Sequence, residues 1–132
     1  MTYTLEVVLP QKLSLNQYST YHHFKLAKVK REFYEAVWAA ERSGYMPEPP
    51  VKCHYHFRLW GARMDLTNLF GMVKPLEDGI VKEGLLEDDN PDIVKELTLS
   101  LERAPESSKR TKRSYCTITI TPYGKQETET HS

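Results

Sequence analysis

The sequence lacks the long apolar runs and the excess of one charge that would place it in several large classes of protein. No apolar run in its 132 residues approaches the roughly 20 residues that a membrane-spanning helix needs. The 18 basic and 18 acidic residues give a formal net charge of zero, which argues against a protein that coats nucleic acid by bulk charge. Hydrophobic residues make up 39% of the chain, which is ordinary for a globular domain with its own core.

Cysteine is scarce, and the first residues do not resemble a secretion signal. Cys53 and Cys116 are far apart and lack the CxxC or Cys/His spacing of a zinc site. We interpret them as buried thiols in a reducing compartment. Residues 1–10 alternate in polarity and include Glu6, whereas a signal has a basic leader followed by an apolar stretch. We therefore expect a cytoplasmic protein with no membrane segment.

The spacing of apolar residues predicts four strands and two helices. Alternation predicts strands over residues 3–9, 51–59, 93–101 and 115–121. Helical spacing predicts one helix from about His22 that ends at Gly44, and a second after Asp65 that ends at Gly84. Pro75 either kinks the second helix or begins its regular part, because proline is well tolerated at the first helical position.

The order of these elements, β-α-β-α-β-β, predicts a single α+β domain. The domain is expected over residues 1–122, with an ordered loop over residues 11–20 and a polar tail over residues 123–132. We expect a mixed four-stranded sheet with two helices on one face. Because the helices leave the other face open, this architecture favours self-association.

Acidic residues lie on both sides of the second predicted helix. Asp65 follows the second strand, and Asp88, Asp89 and Asp92 lie in the turn before the third. If the helix returns the chain to the same sheet edge, these carboxylates converge and need a cation, and all-oxygen ligands favour magnesium or manganese. Spacing alone favours the alternatives, in which Asp65 or Thr67 is a helix cap and the acidic turn is a solvated loop.

Lys74 lies in the second predicted helix, nine residues after Asp65. A lysine beside a bound metal stabilises the charge that develops on phosphate oxygens during phosphodiester cleavage. The alternative is a surface lysine that lies along the helix, and spacing alone favours that alternative.

Three neighbouring stretches combine acidic residues, a lysine and glycines: Arg63-Met-Asp65-Leu-Thr67-Asn68-Leu, then Lys74-Pro-Leu-Glu-Asp78-Gly-Ile-Val-Lys-Glu-Gly84, then Asp88-Asp89. Together they resemble the signature of the RusA-type Holliday junction resolvases. The family signature is Asp-x-Asp-Asn-Leu, a lysine, Asp-(Ala/Gly)-Leu, a glycine and Asp-Asp. The remainder of the chain agrees with the family in element order and length, including the segment Ser14-Leu15-Asn16.

The resemblance implies a RusA-like fold and a role for each matched residue. Asp65 and Asp89 would be catalytic metal ligands, with Asp88 beside them in the metal site, and Lys74 would be the catalytic lysine. Asn68 matches the asparagine of the signature. Members of this family are homodimers, many of them encoded by prophages, that bind four-way DNA junctions and cut two strands symmetrically with magnesium. Manganese is expected as a substitute ion.

Thr67 departs from the signature, which has a second aspartate at that position. A threonine hydroxyl is a neutral and weaker ligand, so the metal site loses one negative charge. Asp88, Glu87, Asp92 or a water is expected to compensate. The alternative is a homodimer that binds branched DNA without cutting it, and a third hypothesis is an unrelated α+β interaction module whose acidic turn is only a loop.

Basic residues supply candidate contacts to DNA phosphates, which position a duplex without reading its sequence. They lie on the first predicted helix, near the acidic site and in the loop over residues 104–113. The candidates are Lys25, Lys28, Lys30, Arg31, Arg58, Arg63, Lys109, Arg110, Lys112 and Arg113. For the first helix, a solvated charged face is an equal alternative. His54 and His56 share one strand face, and we interpret them as polar surface residues in preference to metal ligands.

Overall fold

The computed structural model describes residues 1–61, 64–104 and 112–124. Its five strands are β1 (Tyr3–Val8), β2 (Glu41–Gly44), β3 (Val51–Leu59), β4 (Val94–Arg103) and β5 (Tyr115–Pro122). Its three α-helices are α1 (Leu15–Thr20), α2 (His23–Trp38) and α3 (Phe70–Lys82), and a single 3₁₀ turn, Leu66–Leu69, precedes α3. Three predicted DNA contacts, Arg63, Lys109 and Arg110, lie outside the described residues, as does most of the predicted tail, residues 125–132.

The strands form one mixed sheet in the order β2-β1-β5-β3-β4. Strands β3 and β4 are parallel, with α3 in the connection between them, and the other neighbouring strands are antiparallel. The α+β class and the mixed sheet are therefore as predicted, but the sheet has five strands where four were expected. Among the described residues, no helix is long and apolar enough to cross a membrane.

Strand β2 corrects the prediction of a helix that ends at Gly44. Helix α2 ends at Trp38, and Glu41–Gly44 pairs with Tyr3–Glu6 of β1 instead. All four residues of β2 are exposed, so the strand has no apolar alternation by which the sequence could reveal it. Gly44 has a φ of 87°, and a Cβ at this position would collide with the carbonyl oxygen of Thr2.

Helix α1 lies where an ordered loop was predicted, so the domain has three helices and not two. A capping box begins it: the Ser14 hydroxyl accepts from the Gln17 backbone N–H at 3.1 Å, and the Gln17 side chain accepts from the Ser14 N–H at 2.9 Å. None of its residues is buried. A six-residue helix without an apolar face has no periodicity to detect.

The hydrophobic core lies between one face of the sheet and helices α2 and α3. Alternate residues of β3 are buried from Val51 to Leu59, which confirms the strict alternation seen in the sequence. From α2 the core takes Val29, Phe33 and Val37. Cys53 and Cys116 are free and buried in it, as predicted.

The opposite face of the sheet, here called the uncovered face, carries the polar residues of the alternation. On β1, β3, β4 and β5 these polar residues are Thr4, Glu6, Lys52, His54, His56, Arg58, Glu96, Thr98, Ser100, Glu102, Thr117, Thr119 and Thr121. Each of these residues is half-buried or exposed, which agrees with the prediction that the helices cover one face only.

Candidate metal-binding and active site

Helix α3 carries the predicted catalytic lysine, and two glycines set how closely the helix packs. A Cβ on Gly71 would overlap the backbone of Leu13 and Ser14, so the start of α3 lies directly on the segment that begins α1. A Cβ on Gly79 would lie 3.0 Å from Val37 on α2. The segment Ser14-Leu15-Asn16 thus packs, at Ser14, against α3, the helix that carries the lysine of the signature. The helix begins at Phe70, before Pro75, which excludes the prediction that its regular part begins at the proline.

Hydrogen bonds within the turn before β4 engage Asp88. One oxygen of Asp88 accepts from the Asp89 backbone N–H at 2.7 Å, and the other accepts from the Asn90 side chain at 3.0 Å. These bonds lower the pKa of Asp88, with the backbone bond as the largest cause. The Asn90 side chain in turn accepts from the Asp92 N–H at 2.9 Å. Asp88 therefore shapes the turn, and Asp89 is the residue of the pair that reaches α3.

Asp89 meets Glu77, which lies one helical turn after Lys74. Burial, the charge of Asp89 and a hydrogen bond between the two carboxyl groups raise the pKa of Glu77 to about 7, in that order of importance. Asp78 raises this pKa further, whereas the Lys74 ammonium lowers it. The structure thus brings together two predicted site residues, Asp89 and Lys74, around a carboxylate that the sequence analysis did not single out.

Tyr55 lies in the core on β3 and carries a hydroxyl without a partner. The side chain is fully buried, and its oxygen has no hydrogen-bond partner among the described residues. Burial raises the pKa of this phenol well above its usual value, and Glu77 is the next largest cause, with a further contribution from Asp89. Buried hydroxyls are normally hydrogen-bonded, so this O–H is an exception in the core of the described residues.

The Asp65 side chain makes no described hydrogen bond or ion pair with this group. It occupies the N-cap position of the 3₁₀ turn, is exposed, and makes no capping bond with its side chain. Thr67 lies inside the turn and is exposed, and Asn68 is half-buried. Within the described ranges, no group of three or more His, Cys, Asp or Glu side chains is arranged to hold a metal. The predicted convergence of Asp65 on the acidic turn therefore stays a prediction.

Two adjacent carboxylates are nevertheless a suitable start for a magnesium site. Magnesium usually keeps several waters and is held by one or two carboxylates together with substrate phosphates. Asp89 and Glu77 repel each other when both are ionised, and a divalent cation between them would relieve that repulsion. The Tyr55 hydroxyl has no acceptor among the described residues. Hydroxyls of this kind serve elsewhere as hydrogen-bond donors to carboxylates that hold a cation. The residues present therefore fit the ion that the resemblance implies.

The candidate DNA contacts divide into two groups. Lys25, Lys28 and Arg31 are exposed on α2 and Lys30 is half-buried; Lys25 lies over the ring of Tyr21 at 4.1 Å and Lys30 over that of Tyr18 at 5.6 Å. Lys112 and Arg113 are exposed, with Lys112 over the ring of Trp60 at 5.6 Å.

Arg58 forms the second group by itself, because it lies on the uncovered face. It donates to Glu6 at 2.7 Å and lies over the ring of Tyr115 at 5.1 Å. The helix-covered face, where Glu77 and Asp89 meet, is on the other side of the sheet. Arg58 is therefore held in an ion pair away from the candidate site and differs from the exposed cations of α2.

His54 and His56 are also engaged on the uncovered face. His54 Nε2 lies 2.6 Å from the Ser100 hydroxyl, and His56 Nδ1 lies 2.5 Å from the same oxygen. His56 Nε2 contacts Glu102 at 3.1 Å. This network between β3 and β4 is the polar strand face that the sequence analysis preferred to a histidine metal site.

Sequence reasoning missed Glu77 and Tyr55, although each has a signal. Glu77 borders the apolar stripe of α3 and follows Lys74 by three positions, the spacing that places two side chains on one side of a helix. Tyr55 stands in the buried phase of β3 among residues without polar atoms, where a hydroxyl needs a partner.

Comparison of the sequence with known protein families and with curated proteins gives no match.

Proposed function

We propose that this protein is a magnesium-dependent endodeoxyribonuclease that resolves four-way DNA junctions, as the RusA-type resolvases do. The observation that carries the proposal is the interaction of Asp89 with Glu77, which together with burial raises the pKa of Glu77 to about 7 and which the charge of Lys74 opposes. This interaction brings two carboxylates and a cation together within the segment that resembles the family signature. Manganese would serve as a substitute ion, because the ligands are oxygen atoms.

Each residue of the site has a distinct chemical task in this proposal. Asp89 would hold the cation, and Asp65 would be its second ligand as the resemblance implies. A bound magnesium ion would supply Lewis acidity, which makes water a better nucleophile and polarises the scissile phosphate. The Lys74 ammonium is exposed on α3 and stabilises negative charge on the phosphate oxygens. Asp88 keeps the turn in shape through its bonds to Asp89 and Asn90.

DNA would be held by local patches of charge, since the chain has no net charge. The exposed cations of α2 and the pair Lys112 and Arg113 are available to phosphates. A homodimer in the cytoplasm would present two such surfaces and two sites related by a two-fold axis. That symmetry suits two equivalent cuts in a junction.

A second candidate function is a homodimer that binds branched DNA but cuts it poorly or not at all. The observation that favours it is the neutral Thr67 at the position of the second family aspartate, beside an exposed Asp65 whose side chain makes no described bond. In this case the exposed cations would still bind the junction, and the cation site would be too weak for catalysis.

Asp89→Asn tests the proposed function, because it removes one charge from the site and keeps the size of the side chain. We expect loss of junction cleavage by about a hundredfold or more, since metal-held carboxylates stabilise the transition state directly. Junction binding is expected to be unchanged or tighter, because the repulsion of phosphate falls. Cleavage and gel-shift assays on one labelled four-way junction measure both.

Asp92→Asn is the matched control. It makes the same change of charge in the same turn, but the Asp92 side chain makes no described contact with Glu77. This variant should cut like the wild type. Wild-type rates of cutting by Asp89→Asn would show that the assigned site is wrong.

A further inference from the structure

We propose that the start of helix α2 binds an unpaired strand of DNA, with one base stacked on the ring of Phe24. The surface consists of the neighbouring rings of His22, His23 and Phe24, here called the ring cluster, and of the cations that follow it on the helix. The inference rests on the DNA binding of the proposed function and deepens it, because it adds unpaired bases to what the protein recognises.

The ring cluster is a group of stacked rings on the surface of the protein. The centroids of the His22 and His23 rings lie 4.2 Å apart, as do those of His23 and Phe24, and the rings are tilted by 33° and 41°. The Phe24 backbone N–H donates to His22 Nδ1 at 3.4 Å, which holds the first ring over the start of the helix. All three residues are exposed, and Phe24 is 74% exposed. The cluster therefore presents a prearranged aromatic surface to a partner.

Phe24 has no part in the hydrophobic core. It lies nine residues before Phe33, and because a helical turn takes 3.6 residues, the two side chains project from opposite sides of α2. Phe33 is fully buried, and Val29 and Val37 are buried on the same side. Packing of the domain therefore does not account for a phenylalanine at position 24, whereas stacking on a base does.

Cations follow the ring cluster, and acids are absent from this part of the chain. From Gln11 to Arg31 the sequence has five lysines and arginines and no aspartate or glutamate. Lys28 and Arg31 lie one and two turns after Phe24 on the same side of α2. Both are exposed, and their side chains make no hydrogen bond or ion pair with the described residues. In a chain without net charge, this local excess of positive charge favours a polyanion.

The combination of exposed rings and cations fits a single strand better than a duplex. Side chains reach a duplex mainly through its phosphates, because its bases are stacked inside. In a single strand the bases are accessible, and proteins that bind such strands combine aromatic rings for the bases with cations for the backbone. The strand accordingly follows α2, with a base on Phe24 and phosphates at Lys28 and Arg31.

The two ends of α2 differ in charge, which provides an internal comparison. Trp38, the last residue of the helix, is 70% exposed and is thus a second aromatic ring on the surface. Between Arg31 and Arg42, however, the sequence has three acids and no lysine or arginine. Acids repel phosphates, so the end of the helix lacks the charge that its start has. Trp38 is therefore the matched control for Phe24.

The test measures the binding of a labelled oligothymidylate and of an abasic strand of the same length, which keeps the phosphates and lacks the bases. We expect Phe24→Ala to weaken binding of the oligothymidylate by about tenfold or more, since it removes a stacked base, and to leave binding of the abasic strand unchanged. Phe24→Tyr retains the ring and should bind like the wild type. Trp38→Ala should bind both strands like the wild type.

The cations are tested by Lys28→Gln/Arg31→Gln, measured over a range of salt concentrations. This variant should bind both strands more weakly, because both have phosphates. The slope of log affinity against log salt should fall by about 1.4, at roughly 0.7 for each single-strand phosphate released. An unchanged slope would contradict the placing of phosphates at these two residues.

The outcomes separate this inference from the proposed nuclease. If the wild type binds oligothymidylate through Phe24 but does not cut a four-way junction, the inference stands and the nuclease proposal fails. If the wild type cuts the junction but Phe24→Ala binds oligothymidylate as tightly as the wild type, the inference is wrong and the function stands. A wild type that binds neither strand would also overturn it.

The remaining outcome concerns a different occupant of the ring cluster. If Phe24→Ala loses self-association in sedimentation and weakens both strands equally, the cluster is a contact between two copies of the chain, and the inference is wrong. Because Phe24 is exposed, the variants should melt at the temperature of the wild type, which shows that a loss of binding does not come from unfolding.

Discussion

Two carboxylates on the uncovered face of the sheet have partners of opposite or neutral charge, whereas two carboxylates beside α3 act on each other. Glu6 pairs with Arg58 at 2.7 Å, and Glu102 contacts His56 at 3.1 Å. Beside α3, the charge of Asp89 raises the pKa of Glu77, and Lys74 is the cation that opposes this shift. The two regions therefore differ in how their carboxylates are balanced.

This difference supports the proposed cation site beside α3. Exposed ion pairs are screened by water and contribute little to stability, and their charges already balance each other. Two neighbouring carboxylates, of which Glu77 is half-buried and Asp89 exposed, cost free energy when both are ionised, unless one binds a proton or a cation neutralises both. We therefore expect a metal to bind beside α3 and not on the uncovered face.

The largest loss of stability is expected from Gly71→Ala, which disturbs the packing on the helix-covered side of the sheet only. The new methyl group would overlap the backbone of Leu13 and Ser14, so α3 must move and carry Glu77 away from Asp89. Overpacking costs about 1–3 kcal/mol, and the better helix propensity of alanine offsets at most about 1 kcal/mol of it. We expect a net loss of about 2 kcal/mol in urea denaturation, together with weaker binding of manganese. Wild-type stability would contradict the close packing described.

A smaller effect is expected from Glu77→Gln on the pH dependence of stability, measured in chelator. The folded state raises the pKa of Glu77 from 4.5 to about 7, so its contribution to stability is full below pH 4.5 and is lost as pH rises through 7. Glutamine cannot ionise and avoids this loss. At pH 8 the variant should be more stable than the wild type by roughly 1–2 kcal/mol, a value reduced for solvent screening of a partly exposed group.

At pH 4 the two proteins should be nearly equal in stability. Urea denaturation at both values tests this. If the difference in stability between the two proteins is the same at both pH values, it comes from packing and not from the ionisation of Glu77.

The smallest loss of stability is expected from Glu102→Gln, on the uncovered face. Its contact with His56 is solvent-exposed, so its loss should cost less than about 1 kcal/mol. The affinity for manganese should not change, because Glu102 lies on the opposite face of the sheet from Asp89. Denaturation and manganese titration are the measurements. A clear loss of manganese affinity in this variant would remove the distinction between the two faces.

The parts of the fold that the sequence predicts are those with a buried face. Strand β3 has every second residue buried, and its alternation is visible directly. Helix α1 and strand β2 bury nothing, so their formation depends on a capping box at Ser14 and on pairing with β1. Pairing of an exposed strand is a tertiary event, and apolar periodicity does not report it.

The candidate site likewise includes residues that the sequence predicts and residues that only the structure reveals. Asp89 and Lys74 were predicted from the resemblance, and the structure places them near each other through Glu77. The role of Glu77 could not be predicted, because it depends on how the turn before β4 folds back onto α3. The pairing of Arg58 with Glu6 joins strands β3 and β1, which are distant in sequence, and it too required the structure.

Cleavage of a labelled synthetic four-way junction, beside a linear duplex of matched sequence, tests the central claim most directly. The protein would be assayed with magnesium, with manganese and with chelator. The account predicts paired symmetric cuts in the junction that need either ion and are absent from the duplex. Tight junction binding without cuts in either metal would contradict nuclease activity and leave the binding homodimer, and the absence of selective binding would contradict both functions.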